Sequence, residues 1–179
     1  MNICRKEEKT YIAEGKIGLG VFAKIAIGKN EKIGTLLGPE MSLERAIDEE
    51  DNGSNCIQIG DQLYFNSEGI ARRLNHSCDP NAGIKNNREL VALQNIKKDE
   101  EISFDYSTTM DEDAWTMKCR CGSKNCRGVI KDFKYLPSDL QRKYLLLGIV
   151  QNFIAKKYVF VKVKLPQAQS PILFRGCER

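Results

Sequence analysis

The feature that most limits what this chain can become is a trio of cysteines, Cys119-x-Cys121-x4-Cys126. Gly122 relaxes the backbone within the trio, so three thiolates can close on one metal ion. Structural zinc is almost always four-coordinate, so this spacing leaves one ligand to come from elsewhere. The segment Arg73-Leu74-Asn75-His76-Ser77-Cys78 offers two candidates, Cys78 and His76, the latter being the only histidine of the chain. Such a site would tie two distant parts of the chain together, and an ion with all four positions filled acts as a staple and not as a catalyst.

Composition supports metal or thiol chemistry over disulfides. The chain has 179 residues and seven cysteines, and its start, Met1-Asn2-Ile3-Cys4-Arg5-Lys6, carries mixed polarity with no apolar signal core. Folding in a cytosol, with reduced cysteines, is therefore expected, and Cys4, Cys56 and Cys177 read as isolated thiols. A hydrophobic fraction of 41% and a charged fraction of 29% suit one globular domain with an appended terminal segment. No apolar run approaches the roughly 18 residues of a membrane span, so no membrane partner is expected. The net charge of +4 is spread along the chain and forms no basic tract, which argues against direct nucleic-acid binding.

Periodicity predicts many short strands, at Val21–Ala23, Lys24–Ile27 and Lys32–Leu37, with a turn at Gly28-Lys29-Asn30. Ser42 is a candidate N-cap for a helix from Leu43 to about Glu50. Cys56–Ile59 and Gln62–Phe65 flank Gly60-Asp61, a two-residue hairpin signal, and Glu89–Ile96 is expected to pair with Glu101–Ser107 across Lys97–Glu100. Further on, Ser138-x-x-Gln141 reads as a capping box opening a helix whose Leu140, Tyr144 and Leu147 share a face packed on the domain's own core, with Gly148 as the stop. Val150–Tyr158 is a weaker helix. Val159–Leu165 alternates like a strand and could join two chains into a dimer.

Two further motifs bear on chemistry. Gly18-Leu19-Gly20 lets backbone approach a ligand closely, although a GxG alone usually marks only a turn. Tyr106 ends the alternating run Glu101-Ile102-Ser103-Phe104-Asp105-Tyr106, where a tyrosine is by default packing. Together with Asn75-His76-Ser77-Cys78 and the cysteine trio, these segments resemble the SET-domain lysine methyltransferases, over roughly Lys16 to Ile130.

The resemblance implies a mainly β SET-domain fold with short helices: several small curved sheets, a knot-like meeting of the Asn-His-Ser-Cys and Phe-Asp-Tyr segments, a post-SET zinc loop and a C-terminal helix. The expected segments are 10–110, 111–132 and 133–179. It implies S-adenosylmethionine bound by Gly18, Leu19, Gly20, Arg73, Asn75, His76 and Tyr106, and a structural zinc held by Cys78, Cys119, Cys121 and Cys126. Tyr106 becomes the catalytic residue, and Phe104, lacking a hydroxyl, leaves room for more than one methyl group. Leu36 stands where many relatives place a channel tyrosine, and Tyr64 is the candidate to supply the missing hydroxyl. Val129-Ile130, Trp115 and Met117 are candidates for apolar cover of the site.

The implied substrate is a lysine in a protein, a histone tail among the candidates, with Asp48–Asp51 and Asp111–Asp113 as acidic steering patches. The expected setting is intracellular, cytoplasmic or nuclear, with export to a host cell the other option. Monomer and dimer are both open. The rival readings are an inactive SET-like binding module, a zinc-containing nucleic-acid binder and a zinc hydrolase. The last is disfavoured because an all-thiolate site has no open coordination position.

Overall fold

The computed structural model describes residues 8–48, 55–113 and 115–159. Three small sheets meet around one core. In the first, β1 (Thr10–Gly15) and β2 (Gly18–Ala23) form a hairpin, and the order is β1-β2-β10-β7, with β10 at Glu101–Phe104 and β7 at Asn75–His76. The second has the order β3-β9-β8, from Lys32–Thr35, Glu89–Ala92 and Ala82–Lys85. The third is β4-β6-β5, from Glu40–Ser42, Leu63–Asn66 and Cys56–Gly60. A short ribbon pairs β11 (Met117–Lys118) with β12 (Val129–Ile130).

Alternation decides which side chains go inward. Val21 and Ala23 of β2, Ile102 and Phe104 of β10, Leu90 of β9 and Phe65 of β6 all enter one apolar cluster. Burying a side chain such as Ile102, which has no exposed surface, is worth about 1.5–3 kcal/mol. A second cluster lies under α2 (Ser138–Leu147) and α3 (Asn152–Val159), where Phe133, Tyr144, Ile149 and Ile154 are buried and Leu140 and Leu147 pack against them. The expected inward face of α2 is thus found, and Gly148 stops the helix in the left-handed conformation at φ 66°. Among the described residues, no helix is long and apolar enough to cross a membrane.

Several local expectations are corrected. Glu89–Ala92 does not pair with Glu101–Phe104: β9 lies between β3 and β8, and β10 between β2 and β7. Alternation announces a strand but not its neighbour, and burial on three sheets chose different partners. Lys24–Ile27 forms no strand, only a bridge between Ile27 and Ile96. The hairpin turn falls at Asp61-Gln62, because a bulge between Gln58 and Gly60 keeps Gly60 in β5 and Gln62 takes φ 55°.

Ser138 is the first residue of α2 and not its cap, which is Pro137. Gln141 instead donates to the carbonyls of Phe133, Lys134 and Leu136, fixing the preceding turn. α1 runs over Leu43–Asp48, with Ser42 Oγ accepting from the Arg45 amide at 3.5 Å. Of the alternating segment Val159–Leu165, Val159 is the last residue of α3 and the rest lies outside the described residues, as do Glu49, Glu50 and Asp51 of the first acidic patch.

Candidate active site

The site grows from the one parallel pairing of the first sheet. β7 lies beside β10 with Asn75 opposite Ser103 and His76 opposite Phe104. This brings two segments some thirty residues apart to one point and ends β10 just before Tyr106. Asp105 then turns the chain: its carboxylate accepts from the Ser107 amide at 3.1 Å and caps a single 3₁₀ turn over Tyr106–Thr109. The expected strand to Ser107 therefore stops at Phe104.

Tyr106 is held from three sides. Its hydroxyl donates to the Leu74 carbonyl at 2.7 Å, its amide donates to His76 Nδ1 at 3.2 Å, and its ring packs on His76 and Phe104 with centroids 5.3 and 4.9 Å away. Burial pushes its phenol up to about 12, so it stays neutral. The imidazole is also neutral, because burial, against the pull of Asp105, lowers His76 to about 4. Since Nδ1 accepts from the Tyr106 amide, Nε2 carries the proton, and it lies 3.2 Å from Cys78 Sγ.

Cys78, Cys119, Cys121 and His76 place their donor atoms within 4.8 Å of one another, whereas Cys126, the third thiol of the trio, is exposed and stands outside that grouping. The Cys78 and Cys119 sulfurs are 3.7 Å apart. A tetrahedral ion with Zn–S near 2.3 Å has an edge of ~3.8 Å, so the thiols fit the metal that the trio suggested. The Arg127 amide points at Cys78 Sγ at 3.4 Å and the Cys121 amide at Cys119 Sγ at 3.5 Å, the way backbone stabilises thiolates. Burial raises the Cys119 thiol. Cys121 is lowered to about 6, because hydrogen bonds from Cys78 and Ser123 outweigh the cost of burial.

One buried joint fastens this loop to the tyrosine. Arg127 grips Asp105 with two hydrogen bonds of 2.8 and 2.7 Å, and Tyr144 of α2 donates to the same carboxylate at 3.1 Å. Asp105 was not among the residues expected to matter, and its only sequence signal is its place between Phe104 and Tyr106.

Two openings meet at Tyr106. A cleft of ≈ 680 Å³ is lined by Gly18, Asn75, His76, Trp115, Arg120 and Tyr106 among others, a size usual for a cofactor-sized ligand. A smaller cavity of ≈ 120 Å³ has Phe104, Tyr64, Gln58, Glu112, Trp115 and again Tyr106 in its wall. Gly20 allows the close approach behind the larger cleft: a Cβ there would stand 2.4 Å from Glu101 Oε1 and 3.0 Å from Asn75 Nδ2. Asn75 donates to Glu101 at 2.7 Å and to the Leu19 carbonyl at 3.2 Å, so Leu19 contributes through its backbone while its side chain is exposed. Glu101 was missed at the sequence level.

Three placements differ from expectation. Leu36 is fully buried in the main core and lines neither opening at Tyr106; it follows the end of β3, where its amide donates to the Arg88 carbonyl at 2.8 Å and holds it against the second sheet. Arg73 is exposed at the end of the 3₁₀ turn Gly69–Arg73 and lines neither opening; Arg72 lines the small cavity. The second acidic patch is largely neutralised within the chain, since Asp111 pairs with Lys157 at 2.6 Å and Asp113 with Lys134.

Comparison with known proteins bears on the family and the fold. The family model for the SET domain matches residues 18–107. Histone-lysine N-methyltransferase trr of Drosophila melanogaster is 31% identical over 134 residues, 65% of this chain and 6% of that protein. The H3 lysine-4 specific histone-lysine N-methyltransferase of Saccharomyces cerevisiae is 39% identical over 144 residues, 70% of this chain and 13% of that protein. The chain thus spans a small fraction of the length of these curated relatives. Among solved structures, a humanized mutant of the Chaetomium thermophilum Polycomb Repressive Complex 2 bound to an inhibitor has a TM-score of 0.51 at 22% identity, covering 57% of this chain and 16% of that one, which speaks for the fold. The chain belongs to the SET domain family.

Proposed function

We propose that the chain transfers methyl groups from S-adenosylmethionine to the side-chain amine of a lysine in a protein, with a histone tail as the first candidate because its relatives are named histone-lysine methyltransferases. The observation that carries the reading is that Tyr106 lines both the large cleft and the small cavity. A donor held in one and an amine held in the other come together at its ring.

Gly18, Asn75 and His76 would hold the cofactor, with Arg120 beside its carboxylate and Trp115 beside its apolar parts. When bound, S-adenosylmethionine supplies an electrophilic methyl group on a positively charged sulfur. The chain's own residues do the rest. Tyr106 spends its proton on the Leu74 carbonyl, so its oxygen offers lone pairs to an approaching amine N–H. As a neutral phenol it orients the amine and does not act as a phenolate base. Phe104 adds ring surface without a hydroxyl, leaving space for an amine that already bears a methyl group.

Cys78, Cys119, Cys121 and Cys126 would hold zinc, with His76 Nε2–H donating to Cys78 and not serving as the fourth ligand. Holding these thiols together would keep the β11–β12 ribbon in place where Cys78, Cys119 and Ile130 form a small cluster with Tyr106 and Trp115 packed against it.

The test is mass spectrometry of mixed core histones incubated with S-adenosylmethionine. Wild type should add methyl groups to lysine, with di- or trimethylated product accumulating, and Tyr106→Phe should lower the rate by about 100-fold. No transfer by wild type, or equal transfer by Tyr106→Phe, would reject the proposal.

A further inference from the structure

Three residues in the wall of the small cavity carry a buried polar atom that has no hydrogen-bond partner among the described residues: Tyr64 Oη, Ser67 Oγ and Glu112 Oε2. Tyr64 is only 4% and Ser67 only 2% exposed, so bulk water does not replace the missing partner of either hydroxyl. Unpaired polar atoms buried together are costly, and three around one opening mark a place shaped for a ligand rich in hydrogen-bond donors.

Glu112 is the acceptor among them. Its backbone is fixed by a buried frame: Gln58 Oε1 accepts from the Asp111 amide at 3.0 Å, and Asp132 Oδ2 accepts from the Glu112 and Asp113 amides at 2.6 Å each. Gln58 and Asp132 are 5% and 1% exposed, so this frame is rigid. While Asp111 and Asp113 are drawn off by Lys157 and Lys134, Glu112 stands in the wall of the cavity that Tyr106 also lines, with Oε2 buried and unpaired.

We propose that Glu112 is a further substrate-contacting residue, whose Oε2, in the wall shared with Tyr64 and Ser67, receives the protonated side-chain amine and takes one proton from it. The proposal rests on the lysine methyltransferase reading of the site. The step addresses a chemical problem of that reaction. A lysine arrives as an ammonium with pKa about 10.4 and has no lone pair to offer. One N–H bond breaks, its electron pair stays on nitrogen as the attacking lone pair, and the proton makes Glu112 a neutral acid that later releases it to solvent.

Burial, reinforced by the negative charge of Asp132, pushes the Glu112 carboxyl up to about 7, which suits a proton acceptor working near neutrality. The other ionisable or charged groups in the wall are Cys56, Tyr64, Tyr106 and Arg72. Tyr64 is buried and Tyr106 half-buried, and Tyr106 remains neutral over this range.

The probe is n-butylammonium, a mimic of the lysine side chain, titrated into the full chain and followed by amide NMR, with 1-butanol as the uncharged control. Saturable shifts are expected at Gln58, Thr109 and Met110. At pH 8 the ammonium should bind at least tenfold more tightly than the alcohol, and this preference should shrink as pH falls from 8 to 6 and Glu112 takes up a proton. Glu112→Gln should reduce the preference below twofold, and Tyr64→Phe should weaken binding of both probes while keeping it.

Absence of saturable shifts at these amides, or a preference unchanged in Glu112→Gln, overturns the proposal. If Glu112→Gln does not fold, a wild-type preference that is flat between pH 6 and 8 overturns it instead. An ammonium preference accompanied by no methylation of histones leaves this inference standing and removes the lysine methyltransferase reading; methylation without the preference does the reverse.

Discussion

At the scale of single residues, Glu112 carries a stability consequence as well as a chemical one. Burial and the neighbouring charge of Asp132 push its carboxyl from the ordinary 4.5 up to about 7, so between those values the folded state holds a proton that the unfolded chain has lost. Stability therefore falls as pH rises through that window. Glu112→Gln removes the penalty. After allowance for partial exposure, it should stabilise the protein by about 1–2 kcal/mol at pH 8 and by almost nothing at pH 4.5. Urea unfolding at the two pH values checks this, and an equal effect at both would contradict it. In sequence, Asp111-Glu112-Asp113 looked like one acidic patch. Only the fold separates it into two carboxylates paired with lysines and one turned into a cavity.

At the scale of elements, the controlling joint is Asp105, which caps the 3₁₀ turn of Tyr106 and receives Arg127 from the cysteine loop and Tyr144 from α2. Asp105 has no exposed side-chain surface, so removing its cationic partner leaves a buried charge uncompensated. Arg127→Ala should cost about 3–5 kcal/mol, whereas Tyr144→Phe, which deletes one hydrogen bond, should cost about 1–3 kcal/mol. Chemical denaturation of both variants and of their double mutant measures the coupling. Additive losses would mean that the two partners act independently. The elements themselves were partly legible: the positions of most strands, α2 with its Gly148 stop, and the inward Leu140, Tyr144 and Leu147 face followed from periodicity. The partners of β9 and β10, the bulge that moved the Asp61-Gln62 turn and the Pro137 start of α2 did not, because each depends on contacts distant in sequence.

At the scale of the whole molecule, the cysteine loop closes the site and leaves the sheet core to stand by itself. The apolar cluster around Val21, Phe65, Leu90 and Ile102 contains no thiol of the trio. A zinc chelator should therefore leave the far-ultraviolet dichroism of the sheets nearly intact. It should shift the emission of Trp115, the only tryptophan, to the red and weaken cofactor binding at least tenfold. Simultaneous loss of the sheet signal would show that the ion holds the whole fold. The sequence alone determined which residue types could do chemistry here. The spacing of Cys119, Cys121 and Cys126, the Asn75-His76 pair and the run ending in Tyr106 announced a thiolate site and a family resemblance, because spacing and side-chain chemistry are local properties. Only the tertiary structure decided that Tyr106 borders two openings at once, that Leu36 belongs to the core, and that Asp105 and Glu112 face inward. Which side chains share a wall depends on how separate strands pair, and no local pattern encodes that.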